Sequence, residues 1–141
     1  MSDATDVVRR FEEAWAGFDH DAVRGLWAAD MVEHTQHTGG GNGLDVAIQN
    51  NEGVRMAFPD VRRTIEDIFA EGDKVVVRVR MQGTNEGGLP WFGIPANGNK
   101  VDIEWVSEYR VADGKVAEHW TQMDVAGLMQ QLGMMPGPGG E

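Results

Sequence analysis

The fold is decided by VDIEWVSEYRVADGKVAEHWTQMD, residues 101–124. Alternating apolar and polar residues on either side of Ala112-Asp113-Gly114 predict the two strands of a hairpin. The same pattern selects a register. A two-residue turn at Asp113-Gly114 would put Trp105 and Tyr109 on one face with Glu118 and Trp120. A three-residue loop, with Gly114 left-handed in a bulge, pairs Val111 with Lys115 instead. It groups Val101, Ile103, Trp105, Ser107 and Tyr109 with Ala117, His119, Thr121 and Met123. Asp102, Glu104, Glu108, Arg110, Glu118 and Gln122 then share the other face. A slip by one residue inverts every side chain, so the register that separates apolar from charged is expected. It sets His119 opposite Ser107 and Trp105 opposite Thr121.

Working outward, Lys74 to Thr84 alternates in the same way. Val75, Val77, Val79 and Met81 face one side; Arg78 and Arg80 face the other, to pair with the acidic side of the hairpin. Val61 to Ala70 is a further strand, joined to it by the turn Glu71-Gly72-Asp73. Before these strands the period is helical. Val7, Phe11, Trp15 and Phe18 stripe one helix up to Gly17, and Ala22, Val23, Leu26 and Trp27 a shorter second one capped by Asp19. Met31 to Thr35 is a short extended piece carrying Glu33 and His34. Leu44 to Ala57 is a third helix, ending before Phe58-Pro59-Asp60. Residues 85–99 form a loop that nevertheless holds Leu89, Trp91, Phe92 and Ile94, and is expected to fold back as a lid. Asp124 caps a short last helix ended by Gly133, after which residues 134–141 read as a disordered tail. The fold class is α+β: a strongly curved, mixed or antiparallel sheet wrapped around three N-terminal helices, a cone with an internal pocket, in a single domain over 1–133.

With 141 residues and 41% apolar content the chain can bury one core. A formal charge of −11 argues against nucleic acid and anionic membranes as partners. No run approaches the ~20 apolar residues of a membrane span, and no signal peptide is apparent. The absence of cysteine fits a cytoplasmic protein. His34-Thr35-Gln36-His37 has three-residue spacing on an extended segment leading into the glycine-rich loop 39–43. There is no metal-binding histidine pair on a helix and no calcium loop, so no metal site is expected.

The runs FPDVRRTIEDIFAEGDKVVVRVRMQGT, GIPANGNKVDIEW and YRVADGKVAEHWTQMDVAGLMQQLG resemble the SnoaL-like polyketide cyclases of the nuclear-transport-factor-like superfold. The resemblance runs from Val7 to Gly133. Its motifs are FPD, EGDKV, Gly83-Thr84 with Gly87 after two further residues, DGK, EHW and QLG. It implies an α+β cone, a homodimer through the outer face of the sheet, and a reaction without metal or other cofactor, intramolecular aldol closure of polyketide rings in the better-known members. The aspartate that those cyclases use as acid/base corresponds to Thr121. Their pocket glutamine and histidine correspond to Trp105 and Ser107, and their pocket asparagine to Glu33.

His119, an imidazole on an apolar face, is the acid/base candidate, and the same pattern also suits a core histidine. His34 is the second catalytic candidate. Alternation allows only one of Glu33 and His34 to point inward. Thr121, Ser107 and His34 are candidates to orient substrate or water, and Glu33, a candidate substrate-binding residue, could pair with His34 as acid and base at the pocket mouth. Trp105, Trp15, Tyr109 and Trp91 are candidate walls for a flat apolar ligand, with Trp91 on the lid. Trp120 faces outward, toward the dimer interface. The function that follows is acid/base chemistry on a polyketide-derived or other apolar cyclic carbonyl compound. Alternatives are a binding or accessory domain without turnover, and a hydroxylase- or hydrolase-like relative.

Overall fold

The computed structural model describes residues 3–34 and 43–135. In chain order these form α1 (Asp3–Ala16), α2 (His20–Leu26), β1 (Trp27–Glu33), α3 (Leu44–Ala57), β2 (Arg62–Glu71), β3 (Lys74–Thr84), a 3₁₀ turn (Pro90–Phe92), β4 (Lys100–Ala112), β5 (Lys115–Met123) and α4 (Val125–Gln131). The five strands make one sheet in the order β1-β5-β4-β3-β2. Only β1 pairs in parallel, with β5, so the sheet is mixed. No helix among the described residues is long and apolar enough to cross a membrane.

The hairpin keeps the expected faces by a different route. Asp113 and Gly114 both have positive φ, 53° and 74°, and make a two-residue turn that pairs Ala112 with Lys115. Two left-handed residues match the twist of the flanking strands, which is why Asp-Gly favours this turn. The inversion it would cause is undone at once by a bulge. Val111 pairs with Val116 and Arg110 with Glu118, so Ala117 is an extra residue in β5. Val116 and Ala117 are consequently both buried. The cross-strand partners are therefore Tyr109 with His119, Ser107 with Thr121, and Trp105 with Met123. His119 is not opposite Ser107, and Trp105 is not opposite Thr121, as the three-residue loop would have had them.

Two apolar clusters hold the concave face. In one, Val7, Val8 and Phe11 of α1 pack on Val75, Val77, Val79, Tyr109 and Val116. In the other, Phe58, Leu89, Ile94, Leu128 and Leu132 close over Met81, Val101 and Ile103. The loop over 85–99 thus divides its apolar residues: Leu89 and Ile94 are core, whereas Trp91 and Phe92 stay partly exposed. The convex face carries the charge ladder expected of it, with Arg78 3.1 Å from Glu104 and Arg80 2.6 Å from Asp102. Asp124 caps α4 through the Gly127 amide, 2.8 Å from its Oδ1.

Besides the register, one expectation changes: Trp27 opens β1 instead of closing the second helix, and the strand runs to Glu33, ahead of the extended piece expected at Met31 to Thr35. At the start of α2, His20 Nε2 lies 3.1 Å from Asn51 Nδ2 and its ring meets Trp15. His37, residues 39–42 of the glycine-rich loop and the tail beyond Met135 lie outside the described residues.

Candidate active site

Three strands bring the functional side chains together on the concave face. Parallel pairing of β1 with β5 aligns Glu33 with His119. Antiparallel pairing of β5 with β4 adds Tyr109 and, two residues along, Ser107 and Thr121. Glu33 is buried, and both its carboxylate oxygens lie 2.8 Å from His119 Nδ1. A carboxylate only accepts, so Nδ1 carries the proton, and in the neutral imidazole Nε2 then keeps its lone pair. Thr121 Oγ1 donates to Nε2 over 2.6 Å, and Ser107 Oγ donates to Thr121 Oγ1 over 2.8 Å. Ser107 Oγ itself is 3.3 Å from Nε2. The Tyr109 ring stacks on the imidazole at 4.6 Å between centroids and 14° between planes. The result is a line of proton-exchanging groups, Glu33–His119–Thr121–Ser107, with the imidazole clamped in orientation.

Behind this line lies a second acid. Glu12 of α1 is buried on the sheet side and accepts a hydrogen bond from the Tyr109 hydroxyl. Burial raises its carboxyl above the ordinary range, although the Tyr109 bond and the charges of His119 and Arg63 oppose the rise. Burial, with Glu12 beside it, likewise pushes the Tyr109 phenol well up, so it stays a donor. A raised folded-state pKa favours the fold below the unfolded value and loses that advantage as pH climbs through the folded one. Glu12→Gln cannot ionise. It should melt higher than the wild type near about pH 8 and no differently near about pH 4. A lower melting temperature for the variant at the alkaline pH would show that the ionised carboxylate is held favourably after all.

The cavity space falls into two adjoining chambers that share part of their lining. The inner one, about 200 Å³, is walled by Glu12, Trp15, Trp27, Glu33, Tyr109 and His119. The outer one, about 490 Å³, is walled by Phe58, Met81, Trp91, Phe92, Ile103 and Leu128. That volume falls within the range of small-molecule sites. Asn50, Val54, Arg63, Trp105, Thr121 and Met123 line both and form the waist between them. Trp91 closes toward α3, where a β-carbon on Gly53 would meet its ring at 3.1 Å.

Of the residues singled out from the sequence, Trp15, Glu33, Trp105, Ser107, Tyr109, His119 and Thr121 all line the inner chamber, and Trp91 lines the outer. His34 does not join them. Its Nε2 lies 2.6 Å from Glu118 Oε2 and its ring stacks on Trp120 at 4.6 Å, on the convex face. Because Glu33 turns inward toward His119, the next side chain must turn outward, and His34 is withdrawn as a catalytic residue. Arg110 and His34 together hold the Glu118 carboxylate below its usual range. Sequence reasoning passed over Glu12, Asn50 and Arg63. Arg63 had a visible signal: it alternates with Val61 and Ile65 and so shares their inward face.

The comparisons with known proteins agree with this architecture. The SnoaL-like polyketide cyclase family model matches residues 5–132. The aklanonic acid methyl ester cyclase DnrD of Streptomyces peucetius is 28% identical over 139 residues, which cover 94% of this chain and 92% of that protein. Among solved structures, AclR, a hydroxylase candidate from Streptomyces galilaeus, superposes with a TM-score of 0.82 at 28% identity, covering 95% of this chain and 83% of its own. IdmH, a polyketide cyclase candidate from Streptomyces antibioticus, superposes with a TM-score of 0.80 at 28% identity, covering 92% and 98%. With the fold and nearly the whole length in agreement, the chain belongs to the SnoaL-like polyketide cyclase family.

Proposed function

We propose that the protein is a cyclase-type enzyme that removes and returns a proton on an apolar, polyketide-derived carbonyl compound, with His119 as the base and then the acid. The observation that carries this reading is the carboxylate–imidazole–hydroxyl line from Glu33 to Thr121, ending at the waist of the cavity. Glu33 holds the tautomer in which Nε2 accepts. As the Thr121 hydroxyl swings from Nε2 to the ligand's carbonyl oxygen, Nε2 takes a proton from the adjacent carbon. The C–H pair moves into an enolate. The enolate carbon attacks a second carbonyl of the same molecule, a C–C bond forms, and the new alkoxide recovers the proton from Nε2–H. No atom is gained or lost, so the step asks for no co-reactant.

Aklanonic acid methyl ester, the compound in the name of the Streptomyces relative, is the first substrate to assay. In D₂O the wild-type protein should convert it, or at least exchange the hydrogen next to its carbonyl, as read by mass spectrometry. Tight binding with neither exchange nor turnover, there and with other multi-ring carbonyl esters, would leave the cavity a binding site and end the catalytic reading.

A homodimer through the convex face belongs to the same proposal. That face exposes Phe69 and Val106 among its paired charges, and sedimentation at the mass of a single chain would dismiss it.

A further inference from the structure

Among the described residues, the outer chamber has one charged residue in its lining, Arg63. In a chain with a net charge of −11, a lone guanidinium facing an apolar cavity is against the general trend. Arg63 makes no ion pair among the described residues; its Nη1 donates to the Trp15 carbonyl over 3.0 Å, while its Nε is buried with no partner. Asn50, on α3 across the waist, repeats the pattern, for its Nδ2 is also buried with no partner. These are the two side-chain nitrogens buried without an acceptor among the described residues, and both belong to residues shared by the two chambers. A buried donor without an acceptor is costly, and more so on a charged group, so two in one wall call for an acceptor. Glu12, the acid whose charge acts on Arg63, does not supply it: it is turned to Tyr109, and burial favours its neutral form.

We propose that Arg63 and Asn50 form a subsite for an anionic oxygen conjugated to a flat ring system, an enolate or a carboxylate, placed at the waist beside Thr121. Resting on the reading of His119 as base, this narrows the substrate class to compounds that present such an oxygen where the proton is removed. Turned toward a ligand oxygen at the waist, the two N–H donors stabilise a developing charge more than they stabilise the neutral carbonyl. The apolar walls, Trp105 and Phe58 among them, take the rings.

The test is calorimetric titration of the whole protein near about pH 8 with two matched pairs of probes. One pair is 4-hydroxycoumarin, an acidic enol, and its neutral ether 4-methoxycoumarin. The other is 2-naphthoate and its methyl ester. Wild-type protein should bind at least one anion about tenfold or more tighter than its neutral partner, and the favoured pair tells enolate from carboxylate. Asn50→Asp, which keeps the shape and places a carboxylate beside the guanidinium, should erase that preference while leaving the neutral probe within about threefold. Arg63→Met should do the same, and Arg63→Lys should recover part of it. Arg63 also anchors the Trp15 carbonyl, so the Asn50 variant decides the matter if the Arg63 variants fail to fold. Equal affinity for charged and neutral probes, or a preference untouched by Asn50→Asp, overturns the subsite. The two readings fail separately. An anion preference with hydrogen exchange that persists in His119→Gln would spare the subsite and sink the base. Exchange lost in His119→Gln with no anion preference would do the reverse.

Discussion

His119→Gln lowers hydrogen exchange and turnover by about a hundredfold or more, with ligand affinity held within about threefold. Glutamine has nearly the reach of the imidazole and still offers an N–H to Glu33 and an oxygen to the Thr121 hydroxyl. What it lacks is a nitrogen that can take a proton and give it back. Loss of kcat with binding unchanged is the signature of an interaction made only along the reaction path. Glu33→Gln should fall between this variant and the wild type. The imidazole stays, but its Nδ1–H faces an amide that can turn either an oxygen or an N–H toward it, so the accepting tautomer is no longer enforced. Thr121→Val tests whether the hydroxyl relays or merely fills space; its effect should be smaller than that of His119→Gln because the base survives. A His119→Gln enzyme within about threefold of wild-type kcat would remove the imidazole from the chemistry and return it to the core.

Much of this arrangement could be read before any coordinates, and the reasons differ residue by residue. The grouping of Ser107, Tyr109, His119 and Thr121 on one face followed from period-two alternation, which survives a wrong turn as long as the parity is right. The turn was wrong by one residue and the bulge at Ala117 compensated, so the faces held while the partners shifted by two. Glu33 was visible as a pocket candidate, but not as the partner of His119. That contact depends on β1 pairing in parallel with β5, two strands separated by α3 and three other strands, and local pattern does not encode a pairing at such separation. His34 was misassigned for the same reason, because alternation fixes that neighbours diverge without saying which turns inward. Asn50 lies at helical spacing from Ala47 and Val54, both on the packed side of α3, so its direction was legible. Its unmet hydrogen bond was not, since satisfaction is a property of the assembled cavity. Phe58-Pro59-Asp60, which served as a helix stop and as resemblance, and Gly83-Thr84, which served as resemblance, prove to be one joint: the Asp60 carboxylate accepts from the Thr84 amide and hydroxyl, each at 2.7 Å.

Beside that joint, Gly87→Ala destabilises the fold by about 3 kcal/mol and loosens the outer chamber with it. The loop after β3 passes so close to the end of α3 that a β-carbon on residue 87 would fall inside the van der Waals surface of the Met56 carbonyl oxygen, 2.8 Å from its carbon and 3.2 Å from Ala57 Cα. Every atom it meets is backbone, so no rotamer change relieves it. Either the helix end or the loop must move. The amides of Glu86 and Gly87 both donate to the Ala57 carbonyl at 3.1 Å, and a shift large enough to clear a methyl group lengthens both. The disturbance then spreads along a defined route. Asn85, fully buried, holds the same loop through Pro95, Asn97 and Gly88, and Leu89 and Ile94 sit beyond it in the core. Trp91 rides on this loop and closes against α3, the helix that also carries Asn50. Denaturant unfolding should show the loss as a lower midpoint at unchanged slope, and the variant should bind 4-methoxycoumarin more weakly than the wild type even below the transition. A Gly87→Ala midpoint equivalent to a loss of less than about 0.5 kcal/mol would mean that the helix end gives way freely, and that the loop is not the rigid wall described here.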